Sequence, residues 1–207
     1  MTRTCAALAA VGLALAAAGC GDRAGLGGRS PSRVVIASLR GASGVTPEAF
    51  GATLLSDVLT RVKRADADGG DYFTTYNDLG QVTLRVVLRD QGQPGSPTAP
   101  SAPNAVTFTR YHVDFVRSDG RNAQGLDVPY SFDSAATFTV GESEVTAGFE
   151  LVRNSAKAET PLKGLGLNGQ ILNMIANVTF YGRDQAGNDV SAAGSMGVNF
   201  GNFADPQ

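Results

Sequence analysis

The chain has 207 residues, with 17 Lys and Arg against 19 Asp and Glu, one His, two Cys and no Trp. A balance this near neutrality supplies no basic field for nucleic acid and no acidic tail to mimic one, and so few His and Cys exclude a zinc site built on those ligands. The 26 Gly and frequent Thr, Val, Asn and Ser favour strands and turns over helices, in a chain long enough to build a core without covalent staples.

In chain order, the first element is a signal. Arg3 gives a short positive start, Ala6 to Ala18 carries no charge, and Ala17-Ala18-Gly19 places small residues directly before Cys20. The apolar run is short of the roughly 18–20 residues that span a bilayer as a helix. This is the layout of a secretory signal peptide with a thiol at the boundary. The segment resembles the lipobox signal of bacterial lipoproteins, with Ala17 where that family usually has Leu. The resemblance implies that residues 1–19 are removed and that Cys20 becomes the acylated first residue, anchoring the chain to a membrane. Cys5 would leave with the signal and the lipid would consume Cys20. No disulfide or free thiol would remain, which suits an oxidising envelope compartment. Gly21, not an acidic residue, follows the cysteine; in double-membrane bacteria that points to the outer membrane over the inner.

Residues 20–33 read as the lipidated cysteine and a flexible tether rich in Gly, Ser and Pro. Its residues 21–33 would reach on the order of 20 Å. Residues 34–207 are expected to form one elaborated β domain. Val34 to Leu39 is the first strand. Thr53 to Thr60 is read as a strand, with a helical turn as the alternative. Gln81 to Leu88 is a strand with Val82, Leu84 and Val86 on one face. Residues 91–104 carry Pro94, Pro97, Pro100 and Pro103, a three-residue spacing that fits a solvated polyproline-type loop between strands. Val106 to Val116 is the longest strand. Its apolar residues switch parity, from Val106 and Phe108 to Tyr111, Val113 and Phe115, and a β-bulge near Thr109–Arg110 repairs the switch. Ala136 to Val140 and Val145 to Val152 follow as strands, then a short helical turn within Ala156 to Gly164 and a tight turn at Asn168-Gly169.

The last hairpin pairs an alternating strand, Leu172, Met174, Ala176, Val178 and Phe180, with another, Val190, Ala192, Met196, Val198 and Phe200. Between them, Asp184 can accept backbone hydrogen bonds while Gly187 and Asn188 tolerate left-handed backbone. About eight strands with turn signals between them read as an all-β, antiparallel β-sandwich. The stretch Tyr181-Gly182-Arg183-Asp184-Gln185-Ala186-Gly187-Asn188 resembles the late hairpin of bacterial immunoglobulin-like and fibronectin type III-like domains. The pattern from Val106 onward is similar to that of bacterial envelope lipoproteins without an assigned activity. The resemblance implies a location and an immunoglobulin-like or fibronectin type III-like fold, and no activity.

Candidate chemistry is sparse. His112, the one histidine, is expected on a strand surface beside Arg110 and Asp114, with no Gly-x-Ser-x-Gly elbow to make it catalytic. The run Asp66 to Asp71 suggests a calcium loop, but an EF-hand starting at Asp66 would need Gly at 71 and Glu at 77, where the chain has Asp71 and Asn77. Tyr72, Phe73 and Tyr76 could form an aromatic platform for a sugar or peptide. No cofactor and no metal are expected. The leading expectation is a membrane-anchored envelope lipoprotein acting as a non-catalytic interaction or structural module with a protein or glycan partner. The alternative is a carbohydrate- or peptide-binding module using Tyr72, Phe73 and Tyr76. A carboxylate-based hydrolase, drawing on acids such as Glu142, Glu144 and Glu150, comes third and requires two acids about 5–10 Å apart in a cleft.

Overall fold

The computed structural model describes residues 29–63 and 70–203. The signal segment, Cys20 and the tether up to residue 28 lie outside the described residues, as do Asp66 and Asp68 of the acidic run. In chain order the strands are β1 (Ser32–Ala42), β2 (Thr53–Asp57), β3 (Thr60–Val62), β4 (Tyr72–Thr74), β5 (Asp78–Leu88), β6 (Gly92–Gln93), β7 (Ser96–Pro97), β8 (Val106–Val116), β9 (Phe132–Val140), β10 (Val145–Val152), β11 (Leu172–Asp184) and β12 (Asp189–Gly201). Two one-turn helices, α1 (Asn154–Lys157) and α2 (Leu165–Asn168), lie between β10 and β11.

The fold is all-β. One main sheet has the order β1-β5-β10 and the other β2-β12-β11-β8-β9. The segment before Val106 contributes to both, through β1 and β5 in the first and β2 in the second. The buried side chains of both sheets form one hydrophobic cluster. Val82, Leu84 and Val86 enter it from β5, and Met174, Ala176, Val178 and Phe180 from β11. Phe149 of β10 meets Phe180 edge-on, with ring centroids 5.2 Å apart, so aromatic contact bridges the two sheets. Gly80 makes room for that ring: a Cβ there would lie 2.3 Å from Phe149.

The bulge in β8 is present. Against β11, Phe108 pairs with Gly182 and Arg110 with Tyr181, so Thr109 is the extra residue; against β9, Phe108 pairs with Phe138 and Arg110 with Ala135, so Ala136 and Thr137 face it across a second irregularity. Val106 and Phe108 are buried before it, and Tyr111, Val113 and Phe115 after it. Opposite the bulge β11 has Gly182, where a Cβ would sit 2.2 Å from the Thr107 carbonyl oxygen. Only glycine fits there.

Four expectations change. The second main sheet is mixed, because β2 runs parallel to its neighbour β12; no tight turn joins the two, so nothing local imposes antiparallel pairing. The stretch Thr53 to Thr60 is not one strand: Asp57 turns its carboxylate to the Thr60 hydroxyl, ending β2 and starting β3. Folded structure begins ahead of Val34, since Arg89 donates from Nε to the Ser30 carbonyl (3.0 Å) and from its backbone to that of Pro31 (3.0 Å). The proline-spaced segment is not one extended run: Pro94 and Gly95 (φ 95°) form the tip of the β6–β7 ribbon, and the Ser101 amide and hydroxyl both donate to Asn104 Oδ1, closing a turn.

Register defines two ends of the body. Ser32 pairs with Leu88 at one end and Ala42 with Leu79 at the other. The start of β1, Asn104 and the β11–β12 turn share the first end, joined by the Ser32 hydroxyl donating to the Asn104 carbonyl (2.9 Å) and a side-chain hydrogen bond from Ser30 to Asp184. The β1–β2 connection, the start of β5 and α1 share the second, joined by Gly44 to Asp78 and Asn154 to Asn77.

Tyr111 crosses the core between the sheets. Its hydroxyl donates to the Glu150 carbonyl (3.0 Å) and accepts from the Glu150 amide (3.1 Å). Glu150 borders the register shift of β10, on the side that β5 leaves unpaired. Tyr111→Phe removes the partner of two backbone groups, and unfolding in urea should show a loss of about 1–3 kcal/mol with an unchanged m value; a loss below the fitting error would show that Glu150 finds other partners.

Candidate functional site

Among the described residues, a dense polar arrangement is internal. Lys157, on α1, is fully buried, and its Nζ donates to Asp78 Oδ1 (2.8 Å) and to the Asp57 carbonyl (2.8 Å). Asp78, the first residue of β5, is equally buried. It also accepts from the Ser56 hydroxyl at Oδ2 (2.6 Å) and from the Gly44 amide at Oδ1 (2.9 Å). The Asp57 carboxylate accepts from the Thr60 hydroxyl and the Phe203 amide. Burial pushes the Asp78 carboxyl above its ordinary pKa, and this outweighs the opposing pull of Lys157, Ser56 and Gly44. Sequence reasoning missed the node. A lysine in a polar helical turn and an aspartate at a strand start read as solvated positions, and only tertiary packing buries them.

An open groove of about 840 Å³ lies at the end of the body where β1 starts, between the β8 bulge and the β11–β12 turn. Thr107, Thr109, Arg110, Tyr181, Arg183 and Asp189 line it. The bulge sends Arg110 outward, where its guanidinium lies 4.0 Å over the Tyr181 ring. Arg110 also reaches Asp133 (3.3 Å), and Arg183 pairs with Asp189 (2.9 Å). At the turn, Asp184 accepts from the amides of Ala186 and Asn188 and from the Asn188 side chain, each at 2.9 Å. Burial alone would raise its carboxyl, but the donors of Asn188, Ser30 and Ala186 together hold it below the usual range.

The residues singled out in the sequence fall in separate places. His112 lies half-buried on the outer face of the second main sheet, its Nδ1 3.2 Å from Asp133 Oδ2. Beside it runs a polar ladder in which Asn177 donates to Asp114 (3.0 Å) and accepts from Ser195 (2.8 Å). Glu142 and Glu144 are exposed between β9 and β10, and Glu150 lies within β10. Asp71 pairs with Arg61 across the β3–β4 ribbon. Tyr72, Phe73 and Tyr76 are 49, 63 and 38 % exposed. Tyr72 and Phe73 are consecutive on β4 and so point to opposite faces of the ribbon; the trio offers rings on both sides of a projecting edge, not one flat shelf. Tyr76 sits against Gly44, where an added Cβ would meet it at 2.5 Å.

Among the described residues, no group of three or more His, Cys, Asp or Glu is placed to hold a metal ion, and no helix is long and apolar enough to cross a membrane. Comparison of the chain with models of known families, with curated proteins and with solved structures finds no match.

Two outcomes test the electrostatics. Lys157→Met leaves a carboxyl buried without its cation and should cost about 3–5 kcal/mol in thermal or chemical melts, while Lys157→Met with Asp78→Leu should cost less than the single change. Asp184→Ala should cost about 1–2 kcal/mol at neutral pH. Because the folded-state pKa of Asp184 lies below the ordinary 3.8, its stabilisation is present above that value and disappears as pH falls through the lowered one. The gap between wild type and variant should therefore close in acid; a gap constant with pH would assign the turn's stability to something other than the carboxylate.

Proposed function

We propose that this chain is an exported lipoprotein, acylated at Cys20, whose folded part is an immunoglobulin-like β-sandwich serving as a non-catalytic interaction or structural module of the bacterial envelope. The strand order supports the fold reading. In an immunoglobulin-like sandwich β1, β5 and β10 would take the places of strands A, B and E, and β12, β11, β8 and β9 those of G, F, C and C′; β2 would be the part of strand A that switches sheets. Outer-membrane delivery is part of the same proposal, from Gly21 after the cysteine.

One observation carries the functional reading: the tether joins the body at one end, and the exposed aromatics Tyr72, Phe73 and Tyr76 lie toward the other. An anchored domain presents its far end to partners, and exposed rings there are the feature most suited to contact. The same exposure favours the second reading, a carbohydrate- or peptide-binding module in which a ring stacks on a sugar or fills a peptide pocket.

The anchor is tested by labelling cells with an alkyne-bearing fatty acid and partitioning the extract in detergent. Wild type should carry label and enter the detergent phase, and Cys20→Ala should do neither; an unlabelled wild type overturns the lipoprotein reading. The far end is tested by crosslinking in cells. Tyr72→Ala with Tyr76→Ala should lower recovery of the dominant protein partner about tenfold or more, with an unchanged melting temperature, as loss of interface anchors does. Undiminished recovery places the contact elsewhere; a glycan array that loses signal with the same variant supports the second reading.

A further inference from the structure

We propose that Lys157 and Asp78 condense into an intramolecular isopeptide bond, an amide between Lys157 Nζ and the Asp78 side-chain carbonyl carbon that closes residues 78–157 into a covalent loop. The inference is independent of what the domain docks to.

The geometry supplies each requirement. Both side chains are fully buried, and the nitrogen already contacts the carboxyl group whose carbon it would attack. Holding two reactants in one orientation within a folded core gives effective concentrations on the order of 10⁵–10⁸ M. The Ser56 hydroxyl donates to Oδ2 and the Gly44 amide to Oδ1. The Ser56 donor polarises the carbonyl and stabilises negative charge as it builds on Oδ2 during addition, while the Gly44 donor holds Oδ1, the oxygen that leaves. A dry site also favours the product, because an amide is neutral, whereas an ammonium and a carboxylate must both be held away from water.

The step balances without a co-reactant. A proton passes from Lys157 Nζ to Asp78, giving an amine and a carboxylic acid. The nitrogen lone pair forms a bond to Cγ, the Cγ–Oδ1 bond breaks, and that oxygen leaves as water with a second proton from the nitrogen. Nothing is oxidised or reduced. The product keeps its hydrogen bonds: the remaining oxygen, Oδ2, accepts from Ser56, and the single N–H left on Lys157 donates to the Asp57 carbonyl, its present partner. Only the Gly44 amide loses its acceptor, and Gly44 is half-exposed, so solvent can replace it. Both cysteines precede the folded body and lie at or before residue 20, so this amide would be its only covalent staple.

The test is tryptic peptide mapping of the full chain after denaturation. Trypsin cuts after Arg64, Arg85 and Arg153, and the amide would block cleavage after Lys157 up to Lys163. The expected product is a branched peptide joining residues 65–85 to residues 154–163, one water lighter than the sum of its parts. Lys157→Arg keeps the charge but should abolish the branched peptide. Asp78→Asn should yield the same branched species by loss of ammonia. Complete recovery from wild type of linear 65–85 together with cleavage after Lys157, including after days of incubation of the folded protein, overturns the proposal. That reading comes from wild type alone, so misfolding of a variant does not blunt it.

Discussion

The buried contact between Lys157 and Asp78 is the constraint on which the far end of the body depends. A single buried charge would be expelled or neutralised, so each group requires the other, and both require the polar atoms around them. Those atoms come from elements distant in sequence. Ser56 and Asp57 belong to β2 of one main sheet, Asp78 opens β5 of the other, Gly44 lies on the connection between β1 and β2, and Lys157 closes α1. Asp57 extends the set to the end of the described chain by accepting from the Phe203 amide. Four segments therefore converge on one buried ion pair, with Phe203 linked through Asp57, and a shift of β2, β5 or α1 would leave a buried polar atom unpaired.

The same logic operates once more at the middle of the core. Tyr111 delivers a polar atom through an aromatic cluster to the backbone of the opposite sheet. It can do so only because the Thr109 bulge reverses the parity of β8, turning Tyr111 inward and Arg110 outward. One inserted residue thus fixes two unrelated features: the hydroxyl that joins the sheets and the guanidinium that stacks on Tyr181. Gly182 is the cost of that arrangement, since no side chain fits against the bulged backbone.

Legibility in the sequence followed the range of the forces involved. The β8 bulge was readable because a period-two pattern that changes phase has few local remedies. The β11–β12 hairpin was readable because two alternating runs flank a turn-forming aspartate and glycine, and its pairs, such as Met174 with Val198 and Phe180 with Ala192, are those the alternation requires. The β3–β4 and β6–β7 ribbons were not readable; strands of two or three residues carry no period. The parallel partner of β2 was hidden for a different reason, since pairing between residues 53–57 and 197–201 is decided by packing and by no turn. Of the candidate site, the exposure of Tyr72, Phe73 and Tyr76 followed from their polar surroundings, whereas the Lys157 node left no mark on the local sequence. Its donors and acceptors come from four separate stretches, each ordinary by itself.

Distance along the strands decides which surface a partner would meet. Strands of 11–13 residues at about 3.3 Å per residue make the body roughly 40 Å long. On the proposed anchor, the groove at Arg110 and Tyr181 lies at the end where the tether joins, within on the order of 20 Å of the bilayer. The β3–β4 ribbon lies toward the opposite end, separated from the lipid by most of the length of the sheets. Lipid headgroups could therefore reach the arginines of the groove but not the rings of the ribbon. On that proposal, a partner for Tyr72, Phe73 and Tyr76 would have to extend over the body from elsewhere in the envelope, which is the position of a protein or a glycan and not of the membrane that the proposed anchor would enter.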